Sequence, residues 1–357
     1  MYTYENLHHF IKNIFCKIGC SPVDAETVAE VLLSAELRGI ESHGMLRISD
    51  YYNLWKAKRI NATPVITIVH ETPSTAVIDG DSGLGMVVGK KAMLLAIEKA
   101  KTVGTGWVSV SNSNHFGIAG YFSMMALKED MIGISMTNAN PLVAPTFSTD
   151  RLLGTNPIAV AIPAGNQPAY VADFATTPIA RGKLDLMHKK NKKAPLGYVQ
   201  DKDGNPSEDP NILTQGGAIL PLGGDYEHGS HKGYCLGSIV DIFSAVLSGA
   251  GYGPWVPPSV AYLPVKEKND VKGTGHFFGA MRIDAFRTAT EFKKTMDEWI
   301  LTFRNAKPAK GQEKVLVPGD IERDNEERRK KEGIPIMPLL VEKVNQIATE
   351  LGIENIK

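Results

Sequence analysis

From about residue 65 the hydrophobic period of the chain changes, and that change bounds its fold more tightly than any other feature. Short β-rich runs (VITIVH, TAVID, GWVSVS, GISMTN, PIAVAIPA, AYVADF) alternate with helical stretches such as LGMVVGKKAMLLAIEKA and YFSMMALKED. A period of two suits a strand, a period near 3.6 suits a helix, and their alternation predicts an α/β body. Helical patterns come first. Ser21-Pro22, an N-cap followed by a favoured first helical residue, opens a run with apolar Val28, Val31, Leu32 and Ala35 that Gly39 ends. Ser42 reads as the next N-cap, opening SHGMLRISDYYNLWKAK. Residues 189–221 are loop-rich, with DKDGNPSEDPN a turn cluster; an apolar helix (YCLGSIVDIFSAVLSGA) and a late strand (GHFFGAMRID) follow. The charged run IERDNEERRKKEG reads as a solvated helix face near the C-terminus.

A chain of 357 residues buries a large core and divides into two or three domains. Lys plus Arg and Asp plus Glu balance at 39 each, so no whole-molecule field draws in nucleic acid or an anionic membrane. No run approaches the roughly 18 apolar residues that span a bilayer. The opening MYTYENLHHFIKNIFCKIG lacks the continuous apolar core of a cleaved signal, so a cytoplasmic protein is expected. Cys16, Cys20 and Cys235 are too few for a disulfide framework and read as free thiols in a reducing compartment.

Familiar signatures fail. Gly83-Leu84-Gly85-Met86-Val87-Val88-Gly89 approximates G-x-G-x-x-G, but its third glycine is one residue late and no acidic residue closes a following strand. Neither His228 and His231 nor His8 and His9 have the companion carboxylates or cysteines of a zinc site, so no metal is expected.

Two segments carry reactive side chains. In RGIESHGMLR (38–47), if Ser42 caps a helix, His43 lies in its first turn and Arg47 stands over the same face. Helix N-termini favour anions, and an arginine fork grips a carboxylate with two parallel bonds, each worth about 1.5–3 kcal/mol. The plainer reading is a cap with a surface histidine and arginine, and the residues alone leave both open. The second segment, SNHFGIAG (113–120), follows a strand and precedes a helix, where α/β proteins place ligands. His115 there is suited to taking a hydroxyl proton as hydride leaves the same carbon, a service worth about 10²–10⁴-fold. A histidine bracing the turn is the competing reading. Asn138 in MTNANP, Thr155 in GTNP, Asp173 to Thr177, and His231-Lys232-Gly233 put small or polar residues beside element ends, and each also reads as a turn.

Taken in order, RGIESHGMLR, SNHFGIAGYF, TNANPLVAP, LLGTNPIAVAIP, DFATTPIARGK, HKGYCL and VPGDIE resemble the malate/L-lactate dehydrogenase family of the type 2 kind. That family also holds ureidoglycolate, sulfolactate and Δ1-piperideine-2-carboxylate enzymes. The resemblance runs from about residue 4 to about residue 335. It implies a mixed α/β, non-Rossmann nicotinamide-binding fold with helical N- and C-terminal segments packed together, which accommodates the missing glycine fingerprint. The domains so expected are a helical one (1–62 plus 320–357), an α/β one (63–125 plus 285–319) and a cofactor-binding one (126–284). A homodimer with the active site near the subunit interface is implied, with NAD or NADP as cofactor and NAD the more frequent in the family.

By the same resemblance, His115 is similar to the proton acceptor and donor at the substrate hydroxyl, and Arg47 to the residue holding the substrate carboxylate, with His43 beside it. The imine-reducing branch uses a relay of Ser42, His43 and a later aspartate, matched here by Asp185. Asn138 and Thr155 fall among the substrate contacts. The cofactor contacts implied are His115, Phe116, Gly117, Ala119, Asp173, Phe174, Ala175, Thr176, Lys232, Pro318 and Gly319. Thr177 stands where serine is frequent, and Tyr226 to Ser230 is longer than in shorter members. Arg181 or Lys183 are candidates for a second substrate carboxylate. The expected activity is reversible oxidation of a small 2-hydroxy acid, malate first. Oxidation of lactate, ureidoglycolate or sulfolactate, and NADPH-dependent reduction of a cyclic imine acid, are its alternatives. A catalytically inert ligand-binding protein and a metal-dependent hydrolase are the readings from other classes.

Overall fold

The computed structural model describes residues 1–259 and 272–356. Along the chain run α1 (Tyr4–Lys17), α2 (Pro22–Leu37), α3 (Ile48–Lys56), β1 (Thr67–Glu71), β2 (Thr75–Asp79), α4 (Gly85–Val103), β3 (Thr105–Ser113), α5 (Ala119–Met125), β4 (Met131–Thr137), β5 (Ile158–Ile162) and β6 (Tyr170–Phe174). There follow α6 (Arg181–Lys189), β7 (Val199–Gln200), β8 (Pro206–Ser207), β9 (Ala218–Ile219), α7 (Ser230–Asp241), β10 (Thr274–Arg282), α8 (Ala289–Arg304), α9 (Asp320–Glu332) and α10 (Pro338–Leu351). The first helices start where their caps dictate: Thr3 accepts from the Asn6 amide, and Ser21 accepts from the Asp24 amide with Pro22 at the first position. Gly104, at φ 91°, ends α4 in the left-handed conformation that suits glycine.

The principal sheet has seven strands in the order β1-β2-β3-β10-β4-β5-β6. Only β2 and β3 run parallel; β10 is antiparallel to both its neighbours. The late strand therefore enters the centre of a sheet whose other strands lie between residues 67 and 174. Phe278 of β10 and Val108 and Val110 of β3 are fully buried. They join α1–α5 and α10 in one continuous core, where burying each large aliphatic or aromatic side chain stabilises by about 1.5–3 kcal/mol. The chain ends meet: Tyr2 pairs with Ile334 as an isolated bridge. A smaller core of Val143, Leu153, Ile179, Leu184, Val199, Ile212 and Ile219 gathers around the three-stranded sheet β8-β7-β9. The first five residues of DKDGNPSEDPN make the β7–β8 turn, Asp201 accepting from the Asp203 and Asn205 amides.

Two local expectations are corrected. Ser42 caps no helix: residues 41–43 and 45–47 form two 3-10 turns around an extended Gly44, and α3 begins only at Ile48. A side chain on Gly44 would overlap the Glu36 carboxylate, a contact eight residues away that no local pattern reveals. The charged run, which falls in α9, is not wholly solvated, because Arg329 is buried.

Candidate active site

Strand register brings separate motifs to one end of the sheet. Ser113 ends β3 opposite Thr274, Thr137 ends β4 opposite His276, and Ile158 opens β5 opposite both Met136 and Phe174. The segments around His115, Asn138, Thr155 and Asp173 consequently lie along a single edge.

The turn carrying His115 is packed hard. A Cβ on Gly85 would overlap the Asn114 carbonyl, and one on Gly89 would crowd Phe122 and Phe278. The near-miss glycine motif thus serves close helix packing. Asn114 donates to the Ser82 and Gly83 carbonyls at 2.8 and 2.9 Å. Phe116 is fully buried and stacks on His276, centroids 4.7 Å apart. His276 is itself buried between the Thr137 hydroxyl at Nδ1 (2.7 Å) and the Ser113 hydroxyl at Nε2 (2.8 Å), and burial pushes it down to about 3, so it stays neutral.

His115, half-buried, meets the Tyr51 hydroxyl at Nδ1 (2.7 Å); the Gly117 amide also points there from a weak 3.4 Å. With its proton on Nδ1 the ring donates to the Tyr51 oxygen, forgoes the weak Gly117 bond, and leaves the Nε2 lone pair without a partner among the described residues; with the proton on Nε2, Nδ1 accepts from both Tyr51 and Gly117. Burial first, and then the electropositive sides that His43, Arg47 and His276 turn to an added proton, hold the His115 imidazole well below its ordinary pKa. His43 stacks against it with centroids 5.4 Å apart, and burial and Arg47 push His43 down to about 4. Two far-separated turns therefore place neutral imidazoles face to face, within the field of one guanidinium.

Arg47 closes the first 3-10 pair: Nε donates to the Ser42 carbonyl at 2.8 Å and Nη1 to Asp50 at 3.1 Å. Nη2 makes no hydrogen bond to the described residues, so part of the fork is open to an anion. Ser42 Oγ lies 2.9 Å from His43 Nδ1. Asp185 does not complete a relay. It is exposed on α6 and turned to Arg181 at 3.7 Å, although a Cβ on Gly182 in the same helix would come within 3.9 Å of Ser42. Lys183 is exposed on that helix.

Asn138 is also corrected. Its amide donates to Asp241 (3.0 Å) and the Gly251 carbonyl (2.8 Å) and accepts from the Gly275 amide (3.0 Å), so its side chain braces the sheet end. Thr155 is half-buried, its carbonyl taken by Thr176. Phe116 and Ala119 have buried side chains, leaving backbone to face a ligand. Asp173 accepts from the Gly120 amide at 2.7 Å, and burial pushes its carboxyl up to about 6. Phe174 is exposed, Ala175 half-buried and Thr176 buried. Lys232 is exposed in the first turn of α7, whose start at Gly229 has no side-chain cap. The Pro318 carbonyl accepts from Val171, and Gly319 packs on that residue beside Asp320, which Arg304 and Arg323 hold.

Sequence reasoning missed Tyr51, His276 and Glu36. Tyr51 lies one helical turn beyond Arg47, and His276 is the one polar side chain within the apolar run 275–281; those were the available signals. Among the described residues no group of three His, Cys, Asp or Glu side chains is placed to hold a metal, and no helix is long and apolar enough to cross a membrane.

The family model described as malate/L-lactate dehydrogenase matches residues 2–345. The chain belongs to that family, and is therefore a nicotinamide-dependent hydroxy-acid dehydrogenase. It is 42% identical to a malate dehydrogenase of Pyrococcus abyssi, covering 99% of this chain and 95% of that one. It is 43% identical to an L-sulfolactate dehydrogenase of Methanocaldococcus jannaschii, covering 98% and 96%. The solved malate dehydrogenase of Entamoeba histolytica matches at TM-score 0.92 and 35% identity, covering 99% and 98%.

Proposed function

We propose that this chain reversibly oxidises malate to oxaloacetate, with His115 as general base and Arg47 holding the carboxylate next to the carbinol. The observation that carries this is the neutral His115 imidazole, anchored at Nδ1 by Tyr51 and lying beside His43 in the field of Arg47. A base for an alcohol must be unprotonated at working pH, and the depressed pKa supplies that state. Arg47 orients the acid through its open Nη2 and shared Nη1, the Nδ1 proton steadies His115 against Tyr51, and Nε2 takes the hydroxyl proton. A bound carboxylate offsets part of the Arg47 charge, which raises the basicity of His115 when substrate is present. In reverse, the imidazolium returns its proton to the keto oxygen. The nearness of Gly182 on α6 to Ser42 supports Arg181 or Lys183 as the residue that meets a second anionic group.

The nicotinamide, when bound, supplies the hydride acceptor. The donor set suits such an anionic group: an uncapped α7 start bearing Lys232, the Thr176 region against which α7 packs, and backbone at residues 117–119. We take NAD as the cofactor, with the 126–284 segment as its binding unit. Exposed Ile239, Ile242, Phe243, Val246 and Leu247, on α7 and the turn that continues it, favour a homodimer. The balanced charge and free cysteines favour the cytoplasm.

Sulfolactate is the second reading, favoured by the 43% identity to the archaeal sulfolactate enzyme. Assay of malate, sulfolactate, lactate, ureidoglycolate and Δ1-piperideine-2-carboxylate with NAD and with NADP decides between them. Malate with NAD is expected to give the largest kcat/KM, about tenfold or more above lactate, since an ion pair to a second carboxylate is worth at least about 1.4 kcal/mol. A higher value for sulfolactate replaces the substrate, and turnover of the imine alone removes the 2-hydroxy acid reading.

A further inference from the structure

The turn bearing His43 and Arg47 hangs on a buried carboxylate that the chemistry above leaves unused. Glu36, in the last turn of α2, is 1% exposed. Its Oε1 accepts from the Met45 amide at 2.8 Å and fills the space a side chain on Gly44 would need. Its Oε2 is buried without a hydrogen-bond partner, an arrangement that persists only where geometry demands it. Helix α9 grips the same stretch from outside. Arg329 donates to the Glu36 carbonyl and to the Glu41 carboxylate, Glu326 pairs with Arg38 at 3.3 Å, and Asn325 lies against Gly39. Met45 sits midway between His43 and Arg47.

We propose that Glu36, held by Arg329, is a positioning residue that fixes the 43–47 turn so that Arg47 meets the substrate carboxylate. The role of Arg47 in this rests on the malate reading above; the brace itself does not. Gly44, Met45 and Leu46 are the residues between the two site side chains, with Met45 at the middle, so slack at the Met45 amide is slack at both. Glu41 on the turn and Arg329 on α9 are the charged groups facing Glu36. Burial, aided by Glu41, pushes its carboxyl up to about 7 against the Met45 amide and Arg329. A neutral glutamine keeps an oxygen for Met45 and is a conservative replacement.

The test has a readout free of substrate. Hydrogen exchange at the Met45 amide is expected to quicken by about tenfold or more in Glu36→Ala and to stay near wild type in Glu36→Gln. KM for malate rises about tenfold in Glu36→Ala while kcat changes less than about threefold, and Glu36→Gln stays within about twofold of wild type in both. Arg329→Lys shifts KM in the same direction, because an ammonium cannot span the Glu36 carbonyl and the Glu41 carboxylate; it carries the comparison should Glu36→Ala fail to fold. Unchanged Met45 exchange in Glu36→Ala overturns the brace. Equal losses of Tm and kcat in the alanine and glutamine variants reduce Glu36 to a structural residue. Faster exchange with unchanged KM overturns Arg47 as the substrate holder, a failure of the malate reading and not of the brace.

Discussion

His115 and the His43–Arg47 pair reach the same place from opposite kinds of scaffold. The His115 turn grows from a central strand, is packed against Gly85, and rests on a buried Phe116–His276 stack. The 41–47 turn belongs to no regular helix or strand, leaves Leu46 exposed, and is tied down by three polar anchors: Glu36, Arg329 and Asp50. The proton transfer proposed for His115 needs a donor–acceptor distance held within a few tenths of an ångström, and the sheet end supplies that rigidity. The carboxylate recognition proposed for Arg47 tolerates more movement, and a braced turn suffices.

The contrast predicts unequal damage. His115→Ala is expected to lower kcat by at least about 100-fold while cofactor affinity, read by tryptophan fluorescence quenching, changes less than about threefold. A variant retaining more than about a tenth of wild-type kcat removes the general base. The pH profile sharpens this. Because burial and neighbouring charge lower the His115 pKa, the base stays unprotonated at neutrality, and kcat/KM for oxidation falls with unit slope only below 6.5. An acid limb centred above that value contradicts the depressed imidazole. Arg47→Lys comes next, raising KM about tenfold or more with a smaller change in kcat, since an ammonium cannot make the paired fork. Unaltered KM and kcat exclude Arg47 from the site. Tyr51→Phe, which removes only the anchor at Nδ1, lowers kcat about fivefold to tenfold with KM unchanged, in keeping with about 1 kcal/mol for one hydrogen bond. Asp185→Asn has the smallest effect, within about twofold in all constants, because that carboxylate joins neither Ser42 nor His43. A large loss there restores the relay.

Legibility in the sequence followed the range of the interactions. β2 to β6, β10, α4 and the β7–β8 turn fall where period and turn chemistry place them, because those signals are local. His115 and the His43–Arg47 turn, which the structure brings together, stood out because histidine and arginine beside element ends are chemically conspicuous. Ser42 misled because the rule for caps looks forward three residues, whereas the Glu36 carboxylate reaches Gly44 and Met45 from nine residues back or nearly so. Asn138 looked like a ligand and is a brace, since its partners Asp241, Gly251 and Gly275 lie more than a hundred residues on. His276 escaped notice inside an apolar strand for the same reason. Its partners are remote in the chain.

The central place of β10 has a consequence for biosynthesis. Until residues 274–282 leave the ribosome, β3 and β4 each present an unpaired edge, and the turn bearing His115 lacks the strand that supports it from behind. Nascent chains of this protein thus pass through a long interval with two sticky borders open, the state in which holdase chaperones bind and misassembly competes with maturation.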